Sequence, residues 1–258
     1  MELQNKVAVV TGGASGLGRA ACDQLAAAGV KVAIFDLNEE LAQEAVQALG
    51  PDKVRYQRVD VSDEQSVATA IADTVDVFGA IHLCVNCAGI GSAGKVLNRD
   101  NEPLPLAAFE KTLAVNLTGT FNVARLAAAQ MAKNPPQGEA GERGVIINTA
   151  SIAAYEGQMG QCAYAASKGG IVGLTLPMAR DLATLGIRVN TIAPGIMGTP
   201  LMRAAPQQVQ DNLVAAIQFP KRMGLPAEFG SLVVHIASNT YLNGETLRLD
   251  GGIRMQAR

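Results

Sequence analysis

The sequence predicts an α/β protein built on one doubly wound, seven-stranded parallel sheet with helices on both faces. Three observations predict it. Short apolar runs rich in β-branched residues alternate with longer helical patterns along the whole chain. Most of these runs read as continuously apolar, as strands do when both faces of their sheet are covered. Finally, 258 residues with 48% apolar content suit one large core, and no linker, repeat or low-complexity tract divides 1–258 into two.

The strand-like runs are Val7–Val10, Val30–Phe35, Val54–Val59, Ile81–Asn86, Gly144–Asn148, Ile187–Ile192 and Thr246–Leu249. Helical patterns follow them near 17–28, 39–49, 63–78, 107–132, 161–185 and 226–237. This alternation implies right-handed βαβ crossovers. Three stretches break the rhythm: the polar loops Lys95–Pro105 and Lys133–Arg143, and the segment Pro194–Leu225. Ligands of open α/β sheets bind beyond the carboxyl ends of the strands. The segment about 195–225, after the sixth strand, is therefore expected to form a substrate lid.

Composition narrows the function. Charged residues are only 17% and the net charge is −2, without the basic excess or basic face of a nucleic-acid binder. No apolar run approaches the roughly 18 residues of a membrane span. The start, Met1-Glu2-Leu3-Gln4-Asn5-Lys6, lacks the zones of a secretory signal, so a cytoplasmic location is expected. Of the four cysteines, Cys84 and Cys87 form a C-x-x-C. No second ligand pair accompanies them, since His82 and His235 are the only histidines. Residues three apart on a strand face opposite ways, so packing thiols are favoured over a redox or metal site, and no metal is expected.

The first strand runs into Thr11-Gly12-Gly13-Ala14-Ser15-Gly16-Leu17-Gly18 and then a helix. Glycines let backbone approach a pyrophosphate, whose charge the helix N-terminus meets. Gly12, Ser15, Leu17 and Gly18 are candidate cofactor contacts on this turn. The second strand ends at Asp36, where a carboxylate can take both ribose hydroxyls of an adenosine and repel a 2′-phosphate. NAD is therefore favoured over NADP. Asp60-Val61 closes the third strand beside the adenine position. Cys87 and Gly89 stand at the end of the fourth strand.

Ser151 follows the fifth strand, and Tyr164 and Lys168 lie one turn apart on the next helix, sharing a face. Oxidising an alcohol removes its hydroxyl proton as hydride leaves carbon. A free phenol has a pKa of about 10. One ammonium about 4 Å away supplies roughly the 3–4 kcal/mol needed to bring it near neutrality. Lys168 is expected to do this for Tyr164, the candidate general acid/base. Ser151 is expected to hold the substrate oxygen.

Thr11-Gly12…Gly16…Gly18, Asn86-Cys87-Ala88-Gly89, Asn116, Ser151, Tyr164-x-x-x-Lys168 and Pro194-Gly195 together resemble the short-chain dehydrogenase/reductase family, across essentially the whole chain. Cys87 stands where the family has a second asparagine, and His82 where it often has aspartate. The resemblance implies a Rossmann fold and two further roles. Lys168 binds the nicotinamide ribose, and Asn116 holds a water that relays the proton to solvent. It also places the Met197 backbone and the Thr199 hydroxyl at the nicotinamide carboxamide. Gln158 either touches substrate or is a surface glutamine.

The likeness is greatest to members that act on 3-hydroxyacyl-CoA, which implies oxidation of such esters to 3-oxoacyl-CoA. A 3-oxoacyl-carrier-protein reductase and a hydroxysteroid dehydrogenase are the alternatives, and a non-enzymatic nucleotide-binding partner protein is disfavoured by the complete catalytic set. Met197, Leu201, Met202 and Leu213 suit an apolar substrate or pack the lid on itself. Lys95, Arg99, Arg203, Lys221 and Arg222 are the cations nearest the site. The family implies a homotetramer through the helices at 107–132 and 161–185 and the last strand. The small residues Ala124, Ala127, Ala128, Ala165, Gly169 and Gly173 serve either that contact or internal packing.

Overall fold

A computed structural model describes residues 1–257, the Leu201 side chain excepted. Seven parallel strands form one sheet: β1 (Val7–Thr11), β2 (Lys31–Asp36), β3 (Val54–Arg58), β4 (Leu83–Asn86), β5 (Gly144–Thr149), β6 (Ile187–Pro194) and β7 (Thr246–Leu249). Their order is β3-β2-β1-β4-β5-β6-β7. The helices are α1 (Gly16–Ala27), α2 (Glu39–Leu49), α3 (Glu64–Phe78), α4 (Leu106–Leu113), α5 (Gly119–Met131), α6 (Ala153–Glu156), α7 (Cys162–Ala183), α8 (Pro200–Arg203), α9 (Gln207–Ala216) and α10 (Pro226–Ser238).

The continuous apolar runs are explained by cores on both faces. Ala8, Val10, Ile34, Val85 and Ile147 point to one side, where α1, α2 and α10 bring Leu25, Val46 and Phe229. Val9, Phe35, Cys84 and Ile146 point to the other, against Ile71 of α3, Val123 of α5 and Met178 of α7. Cys84 therefore faces away from Cys87, which packs on the first core. Both are free thiols, and burial pushes them up to about 12 and about 11. Among the described residues no cluster of metal-ligating side chains occurs, and no helix is long and apolar enough to cross a membrane.

Several expectations needed correcting. β3 and β7 are edge strands and only partly buried, because the strand order sends them to the rims. The helix expected over 107–132 is interrupted by a π turn at Ala114–Thr118, which inserts an extra residue at Asn116. The segment after β6, expected as a lid, carries α8 and α9. Ala124, Ala127 and Ala128 are buried in the chain's own core, so packing against the sheet accounts for them. Gly173 is open to solvent, and nothing lies near the position of its missing Cβ.

The chain crosses from one half of the sheet to the other between β1 and β4. There the carboxyl ends of adjacent strands lead their connections apart, leaving a crevice between them. Thr11 at the end of β1 accepts hydrogen bonds from Cys87 N (3.1 Å) and Ala88 N (3.0 Å), which sets the two lips of that crevice. Next to it, Asn86 of β4 donates to Asn148 of β5 at 2.9 Å.

Candidate active site

A cavity of about 720 Å3 occupies the crevice. Gly12, Ser15, Leu17 and Gly18 line it from β1 and α1, Asp36 from β2, Asp60 and Val61 from the end of β3, and Cys87 and Gly89 from β4. The glycines are sterically required. Gly12 has φ +63° and a Cβ there would meet Ala88 N at 2.9 Å, while one on Gly18 would overlap the Gly12 carbonyl. The N-terminus of α1 has no side-chain cap and no acid in its first turn. By contrast, α2 and α3 are capped by Asn38 and Asp63 and carry acids in their first turns. Only α1 of these three leaves its N–H groups open to an anion.

The Asp36 carboxylate accepts from Ala14 N through Oδ2 and from Asn38 N through Oδ1, both at 3.0 Å. A carboxylate has about four lone-pair sites, so each oxygen retains one for a ligand hydroxyl. Arg19 is committed to Asp23 at 2.7 Å.

A second cavity of about 360 Å3 opens off the first, sharing Leu17, Cys87, Gly89, Ile90 and Thr199 with it. Ser151, Tyr164 and Lys168 line it together. The β5 end and the first turns of α7 bring them there. Lys168 Nζ donates to the Thr149 carbonyl at 2.7 Å, which fixes the amine and leaves it two further N–H groups. The Ser151 hydroxyl accepts from Ala153 N at 3.1 Å and favours the Tyr164 anion.

The pKa relation expected between Tyr164 and Lys168 is not what the protein's own groups produce. Burial raises the Tyr164 phenol above its ordinary value, and Ser151 offsets this only in part. Burial likewise pulls the Lys168 amine down from 10.5 to about 8. Its Nζ lies 5.8 Å from the Tyr164 ring centre. Desolvation therefore outweighs the mutual attraction and drives both groups toward neutrality.

Asn116 lies behind the cavity wall, fully buried. Its Oδ1 accepts from Ile90 N at 2.8 Å, and its Nδ2 donates to Ile90 O at 3.0 Å and Ser167 Oγ at 3.1 Å. Both amide protons are thus engaged within the protein, while Oδ1 accepts one bond of the two it can take. The Asn116 main-chain carbonyl, within the π turn, accepts from the Thr120 hydroxyl at 2.7 Å. Such single-turn π bulges concentrate at functional sites.

Thr199 and Met197 line the second cavity from the segment after β6, as does Met202. Leu213 does not, and the Leu201 side chain lies outside the described residues. Gln158 does not reach the cavity either. Its amide donates to Gln256 O at 3.0 Å, and the glutamine that lines the cavity is Gln161, one turn before Tyr164. Met255, near the carboxyl end of the chain, also lines it. Gln161 was findable from its spacing to Tyr164. Met255 carries no local signal. Of the cations nearest the site, Arg222 is held by Glu228 at 2.8 Å and Arg203 by Gly198 O at 3.0 Å.

This pairing of a dinucleotide-sized crevice with a Ser-Tyr-Lys cluster defines a dehydrogenase. A family model described as short chain dehydrogenase matches residues 6–210. The chain belongs to that family and is an oxidoreductase. It is 51% identical over 251 residues to human 3-hydroxyacyl-CoA dehydrogenase type-2, covering 97% of this chain and 95% of that protein. The Drosophila melanogaster protein of the same name is 48% identical over 254 residues, covering 98% and 99%. A crystal structure of 3-hydroxyacyl-CoA dehydrogenase type-2 from Mycobacterium avium superposes with a TM-score of 0.94 at 44% identity, covering 98% of both chains.

The family implies a nicotinamide cofactor, and the crevice fits one. Its glycines permit close backbone approach, the α1 terminus can meet a pyrophosphate, and Asp36 has acceptor sites free for hydroxyls.

Proposed function

We propose that this dehydrogenase uses NAD to interconvert secondary alcohols and ketones, with 3-hydroxyacyl-CoA and 3-oxoacyl-CoA as its substrate pair. The observation that carries the reading is the convergence of Ser151, Tyr164 and Lys168 on one cavity that opens into the dinucleotide crevice. The substrate class is supported by the names of relatives that align over nearly the whole chain. It is also supported by the apolar wall of Ile90, Ile152, Met197, Met202 and Met255. NAD is supported by Asp36, whose charge opposes a 2′-phosphate, and by the commitment of Arg19 to Asp23.

In this reading, Ser151 holds the substrate oxygen and Tyr164 takes its proton. When bound, NAD would supply the hydride acceptor and a positive charge that favours the Tyr164 phenolate, which burial disfavours. Lys168, fixed by the Thr149 carbonyl, uses its remaining N–H groups to hold ribose hydroxyls and to favour the Tyr164 anion. Asn116, on the π turn behind the cavity, holds the relay water. Gly12, Ser15, Leu17 and Gly18 hold the pyrophosphate. Asp60, Val61, Cys87, Gly89, Met197 and Thr199 bind the remainder of the dinucleotide. The segment 195–225, carrying α8 and α9, acts as a lid within the single domain 1–258. A homotetramer is supported by exposed apolar side chains on the expected helices, Phe121 on α5 (46% exposed) and Leu176 on α7 (45% exposed).

Turnover with NAD and NADP on 3-hydroxyacyl-CoA esters, free 3-hydroxy acids and a hydroxysteroid tests the assignment. The highest kcat/KM is expected for a 3-hydroxyacyl-CoA with NAD. A preference for NADP, or turnover of the steroid alone, would overturn it. Sedimentation velocity reads the oligomer, with a tetramer expected.

A further inference from the structure

Around the carboxyl end of the chain, a set of contacts joins three parts of the molecule far apart in sequence. Glu156 closes α6, the short helix after Ser151. Its Oε1 accepts from Arg248 Nη1 at 2.9 Å, and its Oε2 accepts from Arg248 Nη2 at 3.2 Å and from Met255 N at 3.1 Å. Arg248 also holds Asp250 at 2.7 Å and lies 5.3 Å above the Tyr155 ring. Two more main-chain oxygens of the tail are taken by the same loop. Gln158 Nε2 donates to Gln256 O and Met159 N to Ala257 O, each at 3.0 Å.

On the other side of the tail, Ile253 is fully buried with Ile152, the residue after Ser151, and with Ile217 of the lid segment. Gly251 O accepts from Gln218 N and Phe219 N at 3.0 and 3.1 Å. The tail is therefore clamped between the loop that carries Ser151 and the base of the lid. Clamped there, it places half-buried Met255 in the wall of the cavity that holds Ser151 and Tyr164.

We propose that the segment 252–257 is a fixed wall of the substrate cavity, in which Met255 sets how large an apolar group is accepted beside the reacting carbon. Glu156 is a positioning residue that holds the Met255 main chain. This rests on the dehydrogenase reading above, and it specifies which side chain limits the substrate. An unbranched thioether fills a cavity edge without fixing its shape. It packs on the cluster of Ile152, Ile217 and Ile253, which offers only apolar contact.

The test measures kcat/KM with NAD for a series of 3-hydroxyacyl-CoA esters and of plain 2-alkanols, each from short to long. Wild type is compared with Met255→Ala, Met255→Phe, Glu156→Ala and Glu156→Gln. NAD affinity is measured alongside. A difference of even one methylene in an apolar pocket changes discrimination by about tenfold or more. Met255→Ala should therefore raise the long-to-short ratio by about tenfold, and Met255→Phe should lower it by a similar factor. The affinity for NAD should stay at the wild-type value. Glu156→Ala should shift the ratio in the same direction as Met255→Ala, and Glu156→Gln, which keeps an acceptor for Met255 N, should restore part of it. Ratios unchanged in both Met255 variants would overturn the proposal. A ratio unchanged in Glu156→Ala would overturn the positioning role. If wild type turned over only the alkanols, the acyl-CoA reading would fail, while the alkanol ratios would still decide the tail's role.

Discussion

Lys168 offers a stability test of the site that does not depend on turnover. Its amine is only 5% exposed, and burial lowers its pKa from 10.5 to about 8. An unfolded chain keeps this proton up to about 10.5, whereas the folded one gives it up near 8. Between those values the unfolded state binds more protons, so stability rises with pH. Below about 8 the charged amine costs the fold about 3 kcal/mol relative to the neutral form. Lys168→Met removes that cost at pH 7, and it also strips the Thr149 carbonyl of its 2.7 Å bond, a loss of about 1–3 kcal/mol. The second term does not vary with pH. The stability of the variant relative to wild type should therefore fall by about 3 kcal/mol between pH 7 and pH 10.5. Urea unfolding of both proteins across that range, followed by circular dichroism because the chain has no tryptophan, measures the difference. Other alkaline titrations are common to both proteins and cancel. A stability difference independent of pH would refute the argument that burial of this amine is what depresses it.

Three further outcomes are expected. Asp36→Arg should lower kcat/KM with NAD by at least tenfold and raise it with NADP, read as the ratio of the two in steady-state assays. Gly18→Ala should abolish dinucleotide binding or folding, because its Cβ would overlap the Gly12 carbonyl; a variant with wild-type NAD affinity and melting temperature would contradict this. Arg188→Met leaves Glu142, which accepts from Arg188 Nε at 2.8 Å and is only 6% exposed, with the Met1 ammonium at 3.1 Å as its remaining charged partner, and it frees the Ile236, Ala237 and Leu242 carbonyls. Breaking such a buried pair should cost about 3–5 kcal/mol in urea unfolding.

What could be read without coordinates follows from what acts locally. The strand runs were visible because a parallel sheet covered on both faces needs unbroken apolar residues, and the turn from Gly12 to Gly18 because only glycine fits where backbone meets backbone. Tyr164 and Lys168 could be paired because helix geometry fixes residues one turn apart. The remainder is set at long range. That β3 is an edge strand depends on strand order, which the composition of Val54–Arg58 does not encode. The π turn at Asn116 is anchored by Ile90 and Ser167, neither of which is a neighbour in sequence. Gln158 and Gln161 both lie in one polar stretch, and only the placement of the tail decides which of them turns to the cavity. The direction of the Tyr164 shift is a balance between burial and charge. Burial tips it against the phenolate.

The central claim is that the Tyr164 hydroxyl exchanges a proton with the substrate as hydride is transferred. Tyr164→Phe removes that one oxygen while keeping the ring. Steady-state oxidation of a secondary alcohol substrate with NAD, paired with a titration of NAD affinity, tests the claim most directly. The account predicts that kcat falls by about 10²–10⁴-fold while the dissociation constant for NAD stays within about twofold. Turnover at the wild-type rate in Tyr164→Phe would contradict it.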